Sequence, residues 1–208
     1  MVANLSEYWS QLQKTAIGWV HPDDRFLLEH ESHSFNLDYP PPAFVGNISD
    51  APVIVLAANG GYDQIRTSRE FESHDSSRRY LERLAKPASA NWAEVAPYYQ
   101  GINYADLLLG GKVAIVNACA YRSKKISEEP NNKKLIKKLP SVRFNRKWLL
   151  EVVLPAANRG ERLIVGKRFG LWELPPAITS SLGYIADPAP VSPHLSGVVF
   201  DRVSQATK

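Results

Sequence analysis

Ala51-Pro52-Val53-Ile54-Val55-Leu56-Ala57-Ala58-Asn59-Gly60-Gly61-Tyr62-Asp63 decides how this chain folds. A proline opens the stretch, an apolar run follows, and the run stops at a polar, glycine-rich loop. Val53 to Leu56 suit a strand covered on both faces, as strands of parallel sheets are. Gly60 and Gly61 then permit a sharp turn or a close approach to a ligand. Ligands of open α/β sheets sit at that carboxyl edge, which makes Asn59 the first candidate for chemistry. An asparagine at this place serves a β-turn equally well.

Three further apolar runs repeat the pattern. Lys112 to Asn117 forms a second strand that also finishes at an asparagine, Arg162 to Gly166 a third, and Gly183 to Asp187 a short fourth. Helical spacing and capping residues place helices at Ser6 to Ala16, Asp75 to Leu84, Phe144 to Asn158 and Val198 to Gln205, with another opening between Lys167 and Glu173. Tyr39-Pro40-Pro41-Pro42-Ala43-Phe44 is not helical; it reads as an extended connection into the first strand. Strands alternating with helices predict an α/β fold, a three-layer αβα sandwich around a mainly parallel sheet of about four strands. Right-handed crossovers then gather Asn59, Asn117 and His194 at one edge.

Length and composition agree with one domain over residues 1–208, with an N-terminal helix and extended arm in 1–50. The chain is 44% hydrophobic, enough for a sizeable core. No apolar run approaches the roughly 20 residues that cross a bilayer, and Met1 to Lys14 lacks a basic region followed by an apolar core. The expectation is an unprocessed cytoplasmic protein. Cys119 is the single cysteine, which excludes an internal disulfide and a cysteine-built metal cluster. The five histidines show no metal-ligand spacing, so neither metal nor cofactor is expected.

Charge is unevenly distributed. The formal net charge is +4, yet Arg122 to Lys147 carries ten basic residues against Glu128 and Glu129, a local +8 that leaves −4 elsewhere. Such a cluster, with Lys124 and Lys125 at its start, is an electrostatic footprint for a phosphate backbone. A solvated basic loop or insertion over 122–142 accounts for the same residues.

Taken in order, Ala57-Ala58-Asn59-Gly60-Gly61, the strand ending at Asn117, and Ser192-Pro193-His194-Leu195-Ser196-Gly197 resemble the three motifs of the uracil-DNA glycosylase superfamily, over roughly Pro52 to Arg202. The resemblance implies hydrolysis of the N-glycosidic bond of uracil or a related deaminated base in DNA, after the base is flipped out. It implies that Asn59 orients the attacking water and that Asn117 hydrogen-bonds the base edge. Gly61 stands where the uracil-specific branch has a tyrosine that blocks a 5-methyl group, with Tyr62 displaced by one, which implies tolerance of 5-substituted bases. Phe71 falls at the base-stacking aromatic and Leu195 at the wedge that replaces the extruded nucleotide. His194, after a small shift in register, takes the role of hydrogen-bond donor to the departing base; an ungapped match leaves Val191 there instead. Ala57 and Gly60 depart from the family's glycine and proline. Ser192, Ser196, Lys167 and Arg168 are placed to bind phosphates.

Two other classes stay open. A catalytically weak nucleic-acid-binding protein on the same fold keeps the basic segment and the base pocket without leaving-group stabilisation. A small-molecule enzyme that binds a nucleotide on a flavodoxin-like sheet is the third, although Asn59-Gly60-Gly61-Tyr62-Asp63 lacks the pattern of a phosphate loop.

Overall fold

The computed structural model describes residues 3–189 and 192–208. Its strands in chain order are β1 (Gln13–Thr15), β2 (Gly18–Val20), β3 (Phe44–Val45), β4 (Val53–Gly61), β5 (Val113–Ser123), β6 (Leu163–Gly166) and β7 (Tyr184–Ala186). The first two make a separate antiparallel hairpin, and the other five form one sheet in the order β3-β5-β4-β6-β7. β5, β4, β6 and β7 run parallel, and β3 lies antiparallel at the β5 edge. The fold is α/β with a mixed, mostly parallel five-strand sheet. Val53 to Leu56 are fully buried in its centre, as their unbroken apolar run requires.

The strands differ in length, and this shapes the carboxyl edge. β4 pairs with β6 only as far as Leu56 and Gly166, while its pairing with β5 continues to Gly61 and Ser123. Past Gly166 the chain turns away, with the amides of Lys167 and Arg168 both donating to the Leu56 carbonyl. β4 and β5 therefore project beyond β6, beside the point where the sheet order reverses direction. The β4–β5 register breaks between Asn59 and Gly60. Gly60 is required there, because a Cβ on it would lie 2.4 Å from the Ala120 carbonyl oxygen.

Several expectations change on this frame. The first helix is only Leu5–Trp9, and the residues up to Val20 form the hairpin. Gly18, at φ 118°, sits against Leu37, a conformation that rejects a side chain. The second strand does not stop at Asn117 but continues to Ser123, buried throughout. Residues 122–142 are not a loop: Arg122 and Ser123 belong to β5, and the helices Pro130–Ile136 and Pro140–Trp148 follow. These helices and the turn between them bury Leu135, Ile136, Leu139 and Val142 and leave Lys133, Lys134, Lys137 and Lys138 exposed. The second runs on to Asn158 through a wide turn at Leu149–Val153, just before Pro155, whose missing N–H a regular helix would not accommodate. Lys167 to Glu173 gives one tight turn, Phe169–Trp172, ended by Glu173 in the left-handed region. The helices expected near Asp75 and Val198 are present as His74–Ala85 and Gly197–Ala206. Among the described residues no helix is long and apolar enough to cross a membrane.

The N-terminal region is fastened to β5 by buried polar groups. Asn145 accepts from Trp9 Nε1 at 3.0 Å and donates to the carbonyls of Asn117 and Ala118 at 3.0 and 3.2 Å. Asp24, fully buried, accepts from the Tyr121 hydroxyl at 2.7 Å and from Ser141 N at 3.0 Å. Asn145→Ala strands the indole N–H and two carbonyl contacts in the core. It is expected to lower unfolding free energy by about 2–3 kcal/mol in denaturant titration; a change below about 0.5 kcal/mol, the range typical of surface substitutions, contradicts this assignment.

Candidate functional site

A cavity of about 350 Å³ opens at the carboxyl edge, walled by the projecting ends of β4 and β5, the residues after β6 and the segment around Ser192. Its volume lies in the range of small-molecule sites. Asn59, Gly61, Tyr62, Asn117, Lys124, Lys125, Lys167, Arg168 and Ser192 all line it. Phe71, His194, Leu195 and Ser196 do not, and Val191 lies outside the described residues.

Asn59 is half-buried, and its Nδ2 donates both to the Gly60 carbonyl and to Ser123 Oγ, each at 2.8 Å. Both amide hydrogens are engaged, which fixes the side-chain plane. Oδ1 has no hydrogen-bond partner among the described residues and is the polar atom left to meet a ligand. Asn117 lies deeper, 2% exposed, with Nδ2 donating to the Pro42 carbonyl at 2.5 Å. It also bears on the Tyr99 phenol, which burial holds well above its ordinary pKa. Tyr99 therefore stays protonated and able to donate.

Arg122 organises the wall beneath. Nε donates to the Pro40 carbonyl at 2.9 Å, while its two terminal nitrogens donate to the Gly61 carbonyl and Glu70 Oε2, each at 3.2 Å. The guanidinium stands 5.3 Å from the centroid of the Phe71 ring. Phe71 also packs against Tyr39 at 5.7 Å and edge-on to Tyr80 at 5.8 Å. Its faces are occupied by the protein, so it is a packing residue and not a platform for a base. Glu70 lines the cavity, and burial raises its carboxyl pKa despite the offset from Arg122. Oε1 has no partner among the described residues. The other lining carboxylate, Asp63, caps the helix Gln64–Glu70 through the amides of Ile65 and Arg66.

Lys167 has a different role from the phosphate contact implied by the resemblance. Its ammonium donates to Asp187 Oδ2 at 2.8 Å and to the carbonyls of Ala189 and His194 at 2.6 Å. An ammonium has three donors, and all three are used. Lys167 thus ties down both ends of the loop that carries Ser192. Leu195 is 3% exposed and belongs to the core, so it cannot enter a base stack. The His194 side chain is exposed and turned from the cavity, with Nδ1 accepting from Asn103 N at 3.1 Å. Asn103 also brackets Leu195, accepting from its N–H and donating to its carbonyl. Ser196 Oγ is buried without a partner among the described residues, and Ser196 N donates to Asp187. Ser192 Oγ accepts from His194 N at 3.1 Å and keeps its own proton to donate.

The exposed cations of the wall are Arg66, Lys124, Lys125 and Arg168, with Lys125 paired to Glu128. With Arg122 and Lys167, six cations line the cavity against the carboxylates of Asp63 and Glu70, an excess of positive charge. Sequence reasoning missed Tyr98, Tyr99 and Glu70 as wall residues and Asn103 as the loop clamp. Pro97-Tyr98-Tyr99-Gln100 was the available signal for the tyrosines, since an aromatic pair on a proline-led turn lies outside every predicted element. No family model matches the chain, nor does any curated protein or any solved structure.

The Lys167–Asp187 pair makes the loop sensitive to acid. Burial alone raises the Asp187 carboxyl pKa, but Lys167 and the amides of Ala189 and Ser196 outweigh it and hold the value below the ordinary one. Such a group stabilises the fold above its unfolded pKa of about 4, and the contribution is lost as pH falls through the folded value. Lys167→Met is expected to lower stability at neutral pH by about 3 kcal/mol and to shrink the further loss below about pH 4. Denaturant unfolding across pH checks this; an unchanged acid limb contradicts it.

Proposed function

We propose that the protein binds DNA with one unstacked base in the β4–β5 cavity and hydrolyses that base's N-glycosidic bond, acting on uracil or a related deaminated or 5-substituted base. The observation that carries this is the Asn59 amide, locked by Gly60 and Ser123 so that Oδ1 is its open group, in the same cavity as Asn117. An oxygen held in that way accepts from a water and aims it at the anomeric carbon. It contributes position rather than basicity, because an amide takes no proton near neutral pH. Glu70 is the wall carboxylate available for the water's proton. The C1′–N bond breaks with its electron pair on the base, the water oxygen bonds to C1′, and the products are a free base and an abasic sugar. Cations of the wall offset the charge that develops on the leaving base.

Gly61 supports tolerance of 5-substituents: a Cβ there meets nothing within 4 Å, so the cavity is open where a larger residue would narrow it. Exposed Lys134 and Lys137 join Lys124 as candidate contacts to the phosphate backbone, while Lys133 donates to the Ser127 carbonyl and Lys138 pairs with Glu31. We read the helices as covering both faces of the sheet in a three-layer αβα sandwich. One observation favours the second reading, a nucleic-acid-binding protein with weak catalysis. His194, bonded to Asn103, is absent from the cavity wall where leaving-group stabilisation is needed.

Incubation with labelled oligonucleotides carrying uracil, hypoxanthine, xanthine or 5-substituted uracil, read as alkali-sensitive abasic sites, separates these readings. Base release is expected, and Asn59→Ala is expected to reduce its rate about 100-fold. Equal release by the variant contradicts the site assignment. Failure on every substrate, with salt-sensitive binding retained, selects the second reading.

A further inference from the structure

We infer that Tyr98 is the stacking platform of this cavity and that its ligand is a single-stranded nucleic acid, an inference that rests on reading the cavity as a nucleobase site. Enzymes that extrude a base from duplex DNA commonly push an apolar side chain into the gap. Leu195, which the family resemblance puts in that role, is held in the core at 3% exposure and bracketed by Asn103. Among the described residues the exposed large hydrophobic side chains are Phe26, Ile65, Tyr98, Leu150, Leu182 and Val198. Of these, Tyr98 alone lines the cavity.

The environment of Tyr98 suits stacking and not wedging. The side chain stands on the short helix Pro97–Gln100 and is 47% exposed. Tyr99 meets it edge-on, with ring centroids 5.1 Å apart at 87°. A T-shaped pair engages at most one face of the Tyr98 ring, which leaves the other for a base. This is the opposite of Phe71, enclosed by Arg122, Tyr39 and Tyr80. An exposed aromatic beside a cationic groove is how sequence-tolerant single-strand sites are built: the ring takes the π-face of a base and the cations follow the backbone. Arg66 and Lys124 are the wall cations placed to do so.

The test is equilibrium binding of fluorescent oligothymidylate containing one uracil, as a single strand and as the matched duplex, under conditions where no base is released. Wild-type protein, Tyr98→Phe and Tyr98→Ala are compared, and a strand carrying 2-aminopurine beside the uracil reports stacking by quenching. The expected result is at least tenfold tighter binding of the single strand than of the duplex. Tyr98→Ala weakens single-strand binding about tenfold and loses the quench, while Tyr98→Phe keeps both. Equal affinity for the two forms, an unaffected Tyr98→Ala, or Phe and Ala variants equally weakened overturns the inference while leaving the glycosylase reading standing. No binding of either form by wild-type protein overturns both. Since Tyr98 is half-exposed, thermal unfolding of the Ala variant within a few degrees of wild type confirms that a loss of binding is local.

Discussion

β4 and β5 continue their pairing past the point where β6 stops, and the rest of the site depends on that unequal length. Were β6 as long as β4, its side chains and backbone would fill the crevice. Instead the chain leaves at Gly166, both following amides bond to the Leu56 carbonyl, and Trp172 Nε1 donates to the Ala57 carbonyl at 2.7 Å. Backbone acceptors freed by the end of the β4–β6 ladder are thus satisfied without closing the cavity, as buried carbonyls require. The projecting β4 and β5 ends carry Asn59, Asn117, Arg122 and Ser123 on a rigid pair of strands, so the polar groups of the wall keep their positions before any ligand arrives.

The proline arm fixes the depth of the site. Pro40, Pro41 and Pro42 donate nothing, yet their carbonyls accept from Arg122, Tyr80 and Asn117 respectively. Three successive acceptors on an extended segment therefore hold one residue of the helix His74–Ala85 and two of β5. Through Arg122 the same arm orients Glu70 and encloses Phe71. On the opposite side, Lys167 and Asn103 hold the last loop, one from beneath and one from its flank. Lys167 and Leu195, which the motif positions assign to DNA contacts, are internal fastenings of the cavity and its loop.

How far the sequence speaks follows from which forces act locally. Val53 to Leu56, Arg162 to Gly166 and the helices near Asp75 and Val198 were legible because burial periodicity is a short-range signal. Asn59, Gly61, Asn117 and Lys124 were placed in one cavity because strand ends and topology bring them there. Asn117 misled on strand length: a polar residue inside a buried strand reads as a stop until Pro42, 75 residues away, is seen to satisfy it. The hairpin after Trp9 was hidden because the apolar spacing of Ser6 to Ala16 fits a helix by itself. Lys167 and Leu195 were assigned to DNA by their motif positions, whereas their burial is set by Asp187 and Asn103, partners that no local pattern reveals. The helices after Lys125 were obscured by charge, with Leu135, Ile136, Leu139 and Val142 the faint apolar stripe beneath it.

The central claim is that Asn59 and Asn117 face one nucleobase in one cavity. It is tested most directly by following their side-chain amide resonances during titration with an uncleaved single strand containing one uracil, with exposed Asn158, at the helix end beside Gly183, as reference. Both amides are expected to shift together and saturate at the same concentration while Asn158 stays in place. Shifts confined to the helices rich in lysine, with Asn59 and Asn117 unmoved, would contradict it and leave only a polyanion-binding surface.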